Sequence, residues 1–106
     1  METLTKKKYK VDIYKINERA IEAAFGESRY RVNEAGLSPK ALEEKKSKIA
    51  IEVAAKLFVR ESLAYITESK NCVTQEDRRE VEQIAMDAIS QGENCIEYLA
   101  QFCEGV

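Results

Sequence analysis

Histidine and tryptophan are absent from this 106-residue chain, proline occurs once and glycine only four times. Without an imidazole there is no base for a Ser/His/Asp or Cys/His nucleophile and no histidine ligand for zinc or iron. The glycines, Gly26, Gly36, Gly92 and Gly105, are too scattered to cradle a phosphate. Cys72, Cys95 and Cys103 form no CxxC pair and are odd in number. With no signal-peptide apolar region ahead of them, they read as reduced intracellular thiols, mostly buried packing residues, with redox or metal chemistry as the alternative. The most apolar stretch, residues 49–66, carries Glu52, Lys56, Arg60 and Glu61 and so is not read as a membrane span. An enzyme is not expected, nor a metal, a cofactor or a small-molecule substrate.

Charge narrows the partners further. Seventeen Lys and Arg against nineteen Asp and Glu leave a formal net charge of −2. A free-standing nucleic-acid-binding domain is usually basic, so any DNA contact must come from a local patch or be shared with a more basic subunit. The 44% hydrophobic content argues for a folded chain of one domain. At this size roughly 60–70% of the unfolded surface is buried on folding, which leaves a thin core.

Along the chain, residues 1–11 read as a basic flexible arm, with Lys6, Lys7, Lys8 and Lys10 close together. Such an arm is either a solvated terminus or a phosphate-seeking tail. From 12 to 25, Ile13, Ile16, Ala20 and Ala24 recur at three- and four-residue steps, and Tyr14, Ile21 and Phe25 make a neighbouring row. That is a short amphipathic helix, with Gly26 available for a left-handed cap. Residues 27–37 read as a loop with an extended piece around Tyr30 and Val32. Ser38 is then a good N-cap and Pro39 suits the first helical position. No further Gly or Pro appears until Gly92, which predicts a helix to about Glu68 or Ser69. Thr74 and Asp77 are spaced as a capping box for a third helix running to about Ser90, and residues 93–103 predict a further short helix.

The long helix poses the main problem. Around residues 49–66, apolar side chains occupy most of the circumference, and such a helix must be covered on most sides. Its short neighbours look too few. Ile49, Val53, Leu57, Phe58, Leu63, Tyr65 and Ile66 are therefore expected to form a dimer interface with a second copy or a second protein.

The order short helix, loop, long central helix, short loop, short helix resembles the histone fold over residues 12–90. Arg31-Val32 followed by Leu37-Ser38-Pro39 is similar to the family's first loop entering its long helix. Val73-Thr74-Gln75-Glu76-Asp77 is similar to the hydrophobic-Thr-x-Glu-Asp opening of its third helix. Phe58-Val59-Arg60-Glu61-Ser62 is similar to the Phe-Val-x-Glu-Ala run of the CENP-X type. Lys70 stands near where the family often has an arginine paired to the Asp, and residues 91–106 add a C-terminal helical extension. The resemblance implies an all-α histone fold that packs in a handshake with a CENP-S-like chain or with itself. It further implies double-stranded DNA held without sequence specificity, through Arg29, Arg31, Lys70 and the arm lysines, in a nuclear kinetochore or DNA-repair complex. Two other readings stand beside it: a histone-fold transcription-factor subunit, and a small helical adaptor or inhibitor with a protein target, no DNA contact and a cytoplasmic location.

Overall fold

A computed structural model describes residues 9–26, 36 and 38–104. The elements run β1 (Tyr9–Lys10), α1 (Ile13–Phe25), α2 (Pro39–Lys70), α3 (Gln75–Ser90), a 3-10 turn (Gly92–Asn94), α4 (Cys95–Ala100) and β2 (Cys103–Glu104). Apart from the parallel pairing of the two short strands, the regular structure of the described residues is all-α.

α1, α2 and α3 each start where a side chain satisfies orphan N–H groups, whereas α4 follows the 3-10 turn with no side-chain cap. Asp12 accepts from the backbone N–H of Tyr14 and Lys15, both at 3.1 Å. Ser38 Oγ accepts from Ala41 N at 3.1 Å, with Pro39 in the first position, where a missing N–H costs nothing. Thr74 and Asp77 form a reciprocal capping box at the start of α3. With 32 residues, α2 is about 48 Å long at 1.5 Å per residue and sets the molecule's 49 Å long dimension. It stops at Asn71, which takes the left-handed conformation at φ 59° and returns its N–H to Thr67 O at 2.8 Å.

Gly26 ends α1 by a different device from the left-handed cap expected of it. Its backbone is extended (φ −83°, ψ −177°), and a Cβ there would sit 2.6 Å from Glu22 O. Glycine is needed for close approach to the helix's last turn, not for a positive φ.

The core is built around α2, against which α1, α3, α4 and β1 all pack. Val53, Ala54, Ala55, Phe58, Ser62 and Ile66 of α2 are buried, Phe58 completely. Tyr9 is also fully covered, and its ring meets those of Phe58 and Tyr65 edge-on at 6.0 and 6.4 Å. Ser62 is the exception to an otherwise apolar face: its buried hydroxyl finds no hydrogen-bond partner among the described residues.

One expectation changes here. Residues 9–11 were placed in the arm, yet Tyr9 and Val11 are core, and Tyr9 N–H donates to Phe102 O at 2.8 Å. The C-terminal helix packs on the body of the molecule: Leu99 and Cys95 of α4 join the same buried cluster as Tyr9, Phe58 and Val81, with Phe102 against it. One core therefore runs across all three segments into which the sequence reading divided the chain. These two additions are the cover that α2 lacked. Of the seven residues expected to need a partner, Val53, Phe58 and Ile66 are buried by the chain itself, while Ile49, Leu57, Leu63 and Tyr65 are half-buried against the same cluster.

Candidate binding surfaces

Among the described residues, three places on the surface bear on recognition. The first is the outer face of α1. Tyr14, Ile21 and Phe25 lie on one side of that helix and are 83%, 47% and 43% exposed. Beside Ile21 and Phe25 a groove of about 290 Å³ opens between α1, α2 and the start of α4. Small residues make the groove, Ala20, Ala50 and Ala54 among them, and Ile51 and Ile96 wall it. Lys46 sits over the Phe25 ring at 6.0 Å from its centroid.

The second is the corner where α2 hands over to α3. Lys70 Nζ lies 2.7 Å from Asp77 Oδ2, and the same oxygen accepts Thr74 N–H at 3.1 Å. Thr74 Oγ1 in turn accepts Asp77 N–H at 3.0 Å. Asp77 is buried and Lys70 half exposed, so the ammonium neutralises a carboxylate that the capping box draws inward.

The third is a groove of about 470 Å³ between α3 and the paired strands, lined by Tyr9, Glu76, Arg79, Glu80, Gln83, Ile84 and Phe102.

Of the residues expected to touch DNA, Lys6, Lys7, Lys8, Arg29 and Arg31 lie outside the described residues. Lys10 is exposed on β1, in register with Glu104 of β2. Lys70 is engaged with Asp77, so a phosphate would have to share it. The apolar α1 row was visible as a row but not as an exposed one. Met86 and Ile89 of α3 are likewise exposed. Tyr9 had a signal that could have placed it: Tyr9, Val11 and Ile13 alternate with Lys10 and Asp12, the period of a strand.

The thiols divide by environment. Cys72 is exposed, Cys95 is buried and Cys103 is half-buried. Burial pushes the Cys95 thiol up, and burial with the nearby Asp12 carboxylate pushes Cys103 up to about 11 from its ordinary 9.0. Cys103 Sγ also approaches Leu99 O at 3.2 Å, a contact that suits the protonated form. A thiol whose pKa is raised by folding contributes stability that is complete below the unfolded value and lost as pH rises through the folded one. Denaturation midpoints should therefore hold steady up to about pH 9 and fall above it. The fall should be shallower in Cys103→Ala. An identical alkaline slope in that variant would assign the effect elsewhere.

Among the described residues no group of three His, Cys, Asp or Glu side chains could hold a metal ion, and no helix is long and apolar enough to cross a membrane. No family model, curated protein or solved structure matches the chain.

Proposed function

We propose that this protein is a non-catalytic helical subunit that works by holding another protein against the outer face of α1. The exposed row of Tyr14, Ile21 and Phe25 carries the reading. Its members are seven and four residues apart, so they line one side of the helix over about 16 Å. None of the three is needed to complete the core, which closes without them. Exposed apolar patches of this kind mark interaction sites, and aromatic anchors dominate the energetics of such contacts. The groove beside Phe25 offers a place for a partner's apolar side chain. Tyr14→Glu combined with Phe25→Glu tests it. The double variant should melt like the parent protein yet lose a partner that co-purifies with the parent in a fixed ratio. Retention of that partner at the same ratio would overturn the reading.

A second reading is favoured by an observation of its own. The Lys70–Asp77 pair and the Thr74 capping box lie between helices of 32 and 16 residues, where the histone-fold resemblance would set that family's second loop. In this version the partner is a second histone-fold chain, CENP-S-like, and the pair sits on DNA phosphates in the nucleus. Binding of duplex DNA by the purified complex at low salt separates the two readings: the histone-like one requires it and the adaptor does without it.

A further inference from the structure

The groove beside Phe25 has a floor of small residues. Ala20 and Ala54 are almost fully covered where α1 meets α2, and Ile51 and Ile96 rise beside them. No β-strand lines it, so it offers no open sheet edge to an extended peptide. A helix matches it better. The row Tyr14, Ile21, Phe25 covers about three turns, the length over which a second helix laid alongside presents anchors at four- and seven-residue steps.

Charge narrows the choice of helix. Glu18 lies four residues after Tyr14 and three before Ile21, and Glu22 lies three before Phe25, so both carboxylates adjoin the apolar row. Both are exposed, as is Glu93, which lines the groove. Against these three stands Lys46, whose ammonium is over the Phe25 ring. The cations of α1, Lys15 and Arg19, line a separate cleft with Leu57 and Glu61. We infer that the partner held on α1 is an amphipathic helix whose apolar stripe is edged by lysine or arginine, an inference that rests on the reading of α1 as the binding face. A second copy of the chain fits less well. Two-fold pairing would set the row and its carboxylates against themselves, and like charges across an interface are repelled. The same carboxylates repel nucleic-acid phosphates and anionic membrane surfaces. In such a contact the apolar anchors supply most of the affinity, while the rim charges select the partner.

Two synthetic peptides of about twenty residues, long enough to hold a helix in water, test the choice. They share one leucine stripe and differ only in edging it with lysine or with glutamate. Titrated into the isotopically labelled full chain, the lysine-edged peptide should move the Ile21, Ile51 and Ile96 methyl resonances saturably. The Ile66 and Val81 methyls should stay in place and report an intact fold. At low salt its binding should be about tenfold tighter than that of the glutamate-edged peptide, and salt should narrow the gap. Glu18→Lys combined with Glu22→Lys should remove the preference. Equal binding of both peptides by the parent protein overturns the basic partner and leaves the α1 face standing. A preference that survives in the double variant overturns the assignment to Glu18 and Glu22. No movement with either peptide overturns the helix as occupant, and the Tyr14→Glu, Phe25→Glu variant then judges the α1 face alone. An Ile21 signal that shifts with protein concentration before any peptide is added gives the groove to a second copy and overturns the inference as well.

Discussion

Phe58→Ala should lower folding stability by about 3–5 kcal/mol, and the loss should be the same at low and high protein concentration. The side chain is fully buried, faces the Tyr9 ring edge-on, and belongs to α2, the helix against which β1, α1, α3 and α4 pack. Removing it strips the transfer free energy of a benzyl group and leaves a cavity that rigid helices on several sides cannot collapse. Concentration is the informative variable. Were the residue buried by a second chain, the denaturation midpoint would rise with protein concentration in the parent protein, and the substitution would shift that dependence. Cover supplied within the chain gives no such dependence. Urea titrations at two concentrations tenfold apart decide it. A concentration-dependent midpoint would return Phe58 to the interface the sequence suggested.

The apolar circumference of residues 49–66 was legible, and so was its consequence that α2 is surrounded. What surrounds it was not. The cover comes from Tyr9 and Val11, set among lysines and a short strand alternation, and from α4, a helix that was expected but whose packing against α2 is a contact far apart in sequence. Pairing of β1 with β2 joins residues 94 apart in sequence, Tyr9 with Cys103, and periodicity within a window carries no information about such a contact. Local chemistry fared better. Asp12, Ser38-Pro39 and the Thr74–Asp77 spacing each mark a helix start, because a cap involves only neighbours in sequence. The candidate surface on α1 was half legible. The spacing of Tyr14, Ile21 and Phe25 was plain, but whether a second apolar row faces core or solvent depends on how wide a face α2 and α4 cover.

Asp77→Ala should lower stability by about 2 kcal/mol, the sum of a lost cap and a weakened ion pair. The carboxylate of Asp77 holds the Thr74 N–H and the Lys70 ammonium with one oxygen, while its own N–H is held by Thr74. Loss of a cap costs about 0.5–2 kcal/mol. An ion pair with one partner 48% exposed counts for about 1 kcal/mol or less, well short of a fully buried pair. Lys70→Met isolates the smaller part, and Asp77→Asn keeps an acceptor for Thr74 N–H while discarding the charge. The order of stabilities should be parent, Lys70→Met, Asp77→Asn, Asp77→Ala. A double-mutant cycle between positions 70 and 77 then measures their coupling directly. If Lys70→Met proved as costly as Asp77→Ala, the ion pair and not the capping box would hold the corner. Lys70→Arg adds a sharper comparison, because a guanidinium can reach both carboxylate oxygens where an ammonium meets one. Since one of those oxygens already serves the Thr74 N–H, arginine gains only if the second is open to it. A rise in stability in Lys70→Arg would show that the corner accepts the arginine–aspartate pairing that the histone-fold reading assigns there.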